Sequence, residues 1–415
     1  MNKTIAVIGS LDTKHEEVGY LKQRLNALGL NAYLIDTSVL KHHVTEPEAD
    51  MTREVLLASG GYGPDGLAGM KKSDAIQTVT NLVAQAVENL YRQGVIHGGI
   101  AAGGYQNSTM GSAALRRLPM GVPKVLVSAV VNSYLPTQMF TGQTDIIVIP
   151  SVADVVGLNS ITRTIFDNAC AAIAGIMRDG KPKYERDSRE KLIAISSAGV
   201  TNTGVTYLCQ HIREQGYVPV IFHGVTGGSR TMEDLAVEGT FDGLMDLDIH
   251  DLLVDALGYY VFSECDSQRL ERMANLNMPT VVSFSGMDVI DMTRTFYESG
   301  DLPNREGRKV FKHSPEIYHV KVTLEEARKG AALMAKRLNA FTGPVAVVAP
   351  MRGFRDNTQP GDALYDPEVD ACLRDTVKAA LAPHVKWIEV DCNANDPLFA
   401  ETVMSTWLQL VKERA

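Results

Sequence analysis

The chain has 415 residues, of which 45% are hydrophobic and 21% charged, and a formal net charge of -9. That length exceeds one ordinary core, so two domains are expected, with the composition of a water-soluble globular protein. The acidic balance and the lack of a Lys/Arg-rich block exclude sequence-independent nucleic-acid binding, and no run approaches the roughly 20 apolar residues of a membrane span.

Met1-Asn2-Lys3-Thr4 leads straight into the apolar run Ile5-Ala6-Val7-Ile8-Gly9, without the apolar core and cleavage site of a signal peptide. Strands are predicted over 4–9, 31–36, 95–101, 124–129 and 145–150, and helices over 15–28, 73–93, 108–117 and 160–178. Strands alternating with helices predict βαβ units and a mainly parallel sheet. The near-continuous apolar run from Lys124 to Ser128 fits a strand buried on both faces. Residues 40–72, rich in glycine, break this rhythm and predict a partly ordered flap with a short helix near 47–57.

The polar stretch 179–190 is the linker candidate. The pattern then restarts, with strands over 192–196, 218–222, 241–245, 280–284, 345–350 and 386–391. A helix is expected to end near Gln215, and others cover 229–238, 266–275, 323–341, 367–381 and 397–412. The fold class is therefore α/β, with two doubly wound domains of mainly parallel sheet over 1–180 and 191–415. The five cysteines, Cys170, Cys209, Cys265, Cys372 and Cys392, are scattered and lack CxxC spacing. They point to reduced thiols in a cytoplasmic protein and to no zinc site.

Ligands of open parallel sheets bind beyond the carboxyl ends of the strands. At the first such end, Gly9-Ser10-Leu11 leads to Asp12, Thr13 and Lys14, a helix start with free amides and an adjacent cation. The plainer alternative is a capped surface helix with Lys14 solvated. Gly103 and Gly104, followed by Asn107, Ser108 and Thr109, form the strongest phosphate cradle. Two glycines let a ligand approach the backbone, and the hydroxyls stand where a helix begins. The loop is neither a Walker A motif nor a dinucleotide fingerprint, and a tight capped turn is its other reading. Asp154 and Arg163 follow a later strand, as cleft rim or as an ion pair. In the second half, His223-Gly224 opens a turn of glycines and hydroxyls before a helix carrying Glu233, and Arg352-Gly353 makes a carboxylate fork. Asp242, Asp246, Asp248, Asp251 and Asp255 cluster near one strand end. They fit either a solvated helix start or the hard oxygen donors that Mg²⁺ takes, and no resident metal is assigned.

Several strings together carry a resemblance. Gly9-Ser10-Leu11-Asp12-Thr13-Lys14-His15-Glu16-Glu17, Leu118-Pro119-Met120-Gly121-Val122-Pro123-Lys124 and Gly157-Leu158-Asn159-Ser160-Ile161 lie in the first half. Phe241-Asp242-Gly243, Gly343-Pro344-Val345-Ala346-Val347 and Tyr365-Asp366-Pro367-Glu368-Val369-Asp370 lie in the second. Over essentially its whole length the chain resembles the family that includes the N-terminal inhibitory region of a plant tobamovirus-resistance protein. The resemblance implies two Rossmann-like domains, a homodimer, and an ATP-type nucleotide held by the first domain. Tyr105 and Gln106 depart from the small residues of the family's glycine-rich loop.

Three functions remain open. In the first, a nucleotide or other anionic metabolite is held by Asp12, Thr13, Lys14, Gly103, Gly104, Ser108 and Thr109, with Asp154 and Arg163 at the rim. In the second, an enzyme acts on a small organic or sugar acid in the interdomain cleft, using His223, Glu233 and Arg352. The third is a non-catalytic protein-interaction module.

Overall fold

Strand β1 (Thr4–Gly9) is buried along nearly its whole length, and its side chains alternate between two separate cores. Ile5 and Val7 pack with Leu21, Leu25 and Phe166, whereas Ala6 and Ile8 pack with Val83, Val87 and Met110. A strand with period-2 side chains, apolar on both faces, requires helices on both sides. The computed structural model describes residues 3–42, 44–131, 137–225, 227–259 and 268–414. They form two units, Met1–Glu185 and Arg186–Ala415.

In the first unit β1 is followed by α1 (Leu11–Ala27), β2 (Asn31–Asp36), α2 (Arg53–Ser59) and α3 (Lys72–Arg92). Then come β3 (Gly98–Gly103), α4 (Tyr105–Leu115), β4 (Lys124–Ser128), α5 (Gln138–Thr141), β5 (Ile147–Pro150) and α6 (Ser160–Asp179). The five strands are parallel in the order β2-β1-β3-β4-β5. The order reverses between β1 and β3, which makes that crevice the expected ligand position. Asn159 starts α6 by accepting from the amides of Ile161 and Thr162 at 2.9 and 3.1 Å.

Segment 40–72 holds α2, displaced toward the C-terminus from the predicted helix. Thr52 caps it, and Arg53, buried, donates to the carbonyls of Ser38, Pro64 and Val39 at 3.1, 2.8 and 3.3 Å. One guanidinium thus collects carbonyls that no ladder satisfies, which anchors a long connection.

The second unit runs β6 (Leu192–Ser197), α7 (Asn202–Glu214), β7 (Val218–His223), α8 (Gly227–Val237), β8 (Gly243–Asp248), α9 (His250–Leu257) and β9 (Thr280–Ser285). It continues β10 (Val289–Thr293), α10 (Arg294–Ser299), β11 (Val310–Lys312), β12 (Ile317–Lys321) and α11 (Leu324–Leu338). The last elements are β13 (Val345–Pro350), α12 (Pro367–Ala380), β14 (Lys386–Val390) and α13 (Pro397–Arg414). Six parallel strands lie in the order β14-β13-β9-β8-β6-β7, with the reversal between β6 and β8. Leu192 and Ala194 face the core of α8, α9, α11 and α12, and Ile193 and Ile195 face that of α7 and α13. The protein is thus α/β with two mainly parallel, Rossmann-like sheets.

Further features depart from the sequence reading, among them α9, which lies where no helix was expected. A three-stranded antiparallel sheet, β10-β12-β11, follows β9, where the strands are too short to show a period. The helix predicted over 266–275 falls partly outside the described residues, and the rest holds only a 3-10 turn at Glu271–Met273. Among the described residues no helix is long and apolar enough to cross a membrane.

Candidate functional site

At the reversal point of the first unit, Ser10 and Asn107 meet. Ser10 Oγ donates to Asn107 Oδ1 at 2.7 Å and lies 3.2 Å from Thr13 Oγ1, so the starts of α1 and α4 are joined. Gly103 makes this fit, because its φ is 152° and a Cβ there would stand 2.6 Å from that of Asn107. The two helix starts differ in their amides. Leu11 N–H donates to Asp36 Oδ1 at 3.1 Å and Asp12 N–H to Ser38 Oγ at 2.9 Å, so the protein's own carboxylate occupies the α1 end. Helix α4 has no side-chain cap and no acidic residue in its first turn. Among the described residues no acceptor meets the amides of Tyr105, Gln106 and Asn107.

The predicted residues divide accordingly. Asp12 accepts from the Leu40 amide at 3.1 Å and ties down the segment after β2. Lys14, half-buried, stands 3.9 Å from Glu17, which accepts from the Gly157 amide at 2.8 Å. Ser108 is buried, shares a 2.7 Å bond with Ser128, and donates to the Gly103 carbonyl at 3.3 Å. Thr109 donates back to the Tyr105 carbonyl at 2.9 Å. Asp154 lines an open cleft of about 300 Å³ with Ser128, Ser151 and Val152, at the ends of β4 and β5. Arg163 lies over the Tyr20 ring, 4.9 Å from its centroid, rather than beside Asp154. The structure therefore brings together Ser10, Thr13, Gly103, Gly104 and Ser108, and leaves Arg163 elsewhere on the surface.

In the second unit the three acid/base candidates occupy separate environments. His223 is exposed and its Nδ1 is 3.2 Å from the backbone of Val225. Glu233 is fully buried and paired with Arg269, which also meets Asp246 at 2.6 Å. Arg352 is exposed and forms a two-pronged pair with Asp391 at 2.8 and 2.6 Å. The acidic cluster is likewise divided. Asp242 pairs with Arg186, Asp246 with Arg269, and Asp255 with Arg337, while Ser229 donates to Asp251. Among the described residues no group of three His, Cys, Asp or Glu is placed to hold a metal ion.

A different set converges beyond β8 and β9. Asp248 ends β8, His250 opens α9, Asp288 lies before β10 and Asp291 within it. His319 is on β12, and Arg355 and Asn357 follow β13. Arg355 is 1% exposed and its guanidinium Nε and Nη1 have no hydrogen-bond partner. Burial disfavours its charge, but Asp288, Asp291 and Asp248 outweigh that and hold it protonated. Burial also pushes the Asp248 carboxyl up, whereas Lys321 and Arg355 hold Asp288 below the usual carboxylate range despite its burial. His250, Arg355 and His319 do the same for Asp291. Burial lowers His319 to about 4, against the pull of Asp291. Sequence reasoning noted Asp248 but missed Arg355, Asp291 and His319, which sit in no local motif.

The N-terminal domain model of an uncharacterised protein family, UPF0261, matches residues 3–182, and the C-terminal domain model of that family matches residues 190–411. A UPF0261 protein of Clostridium tetani is 28% identical, with both chains covered in full. The ToMV resistance protein Tm-1(GCR237) of Solanum lycopersicum is 26% identical over 97% of this chain and 55% of its own length. Among solved structures, the UDP-N-acetylglucosamine 2-epimerase of Rickettsia bellii is 14% identical, with 100% of this chain and 96% of that chain covered at a TM-score of 0.23. With both halves matched in sequence order, the chain belongs to the UPF0261 family.

Proposed function

We propose that the first unit binds a small anionic metabolite, of the ATP-type nucleotide or phosphate class, at the carboxyl ends of β1, β3 and β4. One observation carries this reading: α4 opens at the strand reversal with unpaired amides, while those of α1 already meet Asp36 and Ser38. An uncapped helix start concentrates partial positive charge and attracts anions. Access supports it, since a Cβ at Gly104 would meet nothing within 4 Å. Tyr105 is 48% exposed, so its bulk is not packed into the loop. Lys14, whose amide donates to the Ser10 carbonyl at 2.9 Å, adds a cation one turn along α1. Mg²⁺ would enter with the nucleotide's phosphates.

A thermal-shift series with ATP, ADP, inorganic phosphate and small sugar acids tests the reading. A ligand at a hundred times its Kd stabilises the folded state by about 2.7 kcal/mol. A shift with ATP that Lys14→Ala abolishes supports it, and no shift with any phosphate compound rejects it. We also propose a homodimer, on the family resemblance, which a light-scattering mass of one chain would reject. A cytoplasmic location is proposed from the free thiols of Cys170, Cys209, Cys372 and Cys392.

A further inference from the structure

Val152 is strained and exposed without any packing in return. Its φ is 66°, in the left-handed region that a β-branched side chain rarely enters, and it is 78% exposed. Among the described residues it packs in none of the four apolar cores. The residues on either side hold it there. The Ala153 amide donates to the Ser151 carbonyl at 2.7 Å, which closes a three-residue turn, and Ser151 Oγ donates to the Ala153 carbonyl. Ser151 is itself buried, and its amide donates to the Ser128 carbonyl at 3.1 Å. Beyond the turn, Glu17 on α1 holds the Gly157 amide at 2.8 Å. Strain of this kind persists only where the surroundings impose it, and it gathers at ligand clamps.

Val152 lines the open cleft of about 300 Å³ at the ends of β4 and β5. Two apolar pairs line it, Ala129-Val130 after β4 and Val152-Ala153 after β5, and Asp154 is the one charged residue among the described lining residues. Asp154 Oδ1 accepts from the Val155 amide at 2.8 Å, while Oδ2 and the Asp154 amide have no partner among the described residues. Asp154 so offers a guest both an acceptor and a donor. The cleft is also bonded to the start of α4. Ser128 Oγ is 2.7 Å from Ser108 Oγ, and the Ala129 amide donates to the Gly103 carbonyl at 3.1 Å. Neighbouring strands stand about 4.8 Å apart, so the β5 end lies roughly 10 Å from the β3 end where α4 begins.

A bare phosphate cannot span that distance, so the cleft suits the body of a larger guest. An anionic body would meet Asp154, with no cation among the described lining residues to offset it. An apolar face is needed against Val152, and a donor at the edge for the free carboxylate oxygen of Asp154. A nucleobase combines the flat face with the N–H edge. We propose, resting on the α4 anion reading, that this cleft is the base subsite of the nucleotide whose phosphates the α4 amides hold. The base packs on Val152, and a ring-edge N–H donates to Asp154 Oδ2. Val152 and Asp154 then determine specificity, and the strained turn is what sets the isopropyl group against the base.

The test uses the full chain with ATP and with inorganic triphosphate, each with Mg²⁺. Calorimetry should show ATP bound at least tenfold more tightly than triphosphate. Val152→Asn keeps a Cβ and suits a positive φ, so the melting temperature should hold or rise while ATP binding weakens at least fivefold. Asp154→Asn puts a donor where the base needs an acceptor and should weaken ATP to a similar degree. Neither change should move triphosphate. Crystals grown with ATP should show the base against Val152 and a ring-edge nitrogen bonded to Asp154. Equal affinity for ATP and triphosphate, a base turned to solvent, or unchanged ATP affinity in either folded variant would overturn the base subsite and leave the α4 reading standing. Binding of neither compound would overturn both.

Discussion

Ser10 Oγ donates to Asn107 Oδ1 at 2.7 Å, and this buried bond joins the starts of α1 and α4, the helices that follow the two strands between which the order of the first sheet reverses. Ser10→Ala leaves the Asn107 oxygen without that donor. The loss of stability should be about 1–3 kcal/mol. Urea unfolding of variant and parent measures it, and a change below a few tenths would show that the junction relaxes.

At Gly104 the backbone is extended, with φ -81° and ψ -160°, and space surrounds the position of a Cβ. Gly104→Asp should place a carboxylate on the α4 amides. Stability is expected to rise by about 0.5 kcal/mol from capping and the dipole. Any ATP-induced shift in melting temperature should vanish. Retention of the shift in a folded Gly104→Asp chain would place the anion elsewhere.

Gly243 begins β8 against an indole. A Cβ there would lie 2.3 Å from Trp407 Cζ2, and Trp407 Nε1 donates to the Pro279 carbonyl at 3.0 Å. Gly243→Ala must push the ring aside in a closed core, at a cost of roughly 1–3 kcal/mol. A red-shifted tryptophan emission together with a lower denaturation midpoint is the expected result.

The buried His319 should make the protein acid-sensitive. Its folded value is about 4, against an ordinary 6.5, because burial disfavours the imidazolium. Below pH 6.5 the unfolded chain takes up a proton that the folded chain refuses. Stability present above pH 6.5 is therefore lost as pH falls toward 4, by at most about 3 kcal/mol. Asp291, Arg355, His313 and His250 are the charged and titratable groups that act on it. His319→Gln should flatten the denaturation midpoint between pH 6.5 and 4.5, and an unchanged slope would assign the acid sensitivity to other groups.

The α/β class and nearly every parallel strand were legible in the sequence, because a strand buried on both faces must be apolar throughout. Ile5 to Ile8 and Val345 to Ala349 show this. Helix starts were legible where a cap sits beside its helix, as at Asn159 and Thr323. The exposed β11 and the partly buried β10 and β12 were missed, since so few residues cannot display a period. The first candidate site was half legible. Its glycines and hydroxyls stood out, but the carboxylate that fills the α1 end is Asp36, 25 residues from Leu11 in sequence.

Local spacing alone determined the layered parallel architecture, because burial patterns and caps act over a few neighbouring residues. Only the tertiary structure decided which polar groups lose water together. Asp248, Asp291, His319 and Arg355 come from separate loops and strands, and the sheet order alone brings them beside one another. Their burial, and hence their charge states and unpaired atoms, follows from that convergence, because desolvation depends on everything packed around a group and not on its neighbours in the chain.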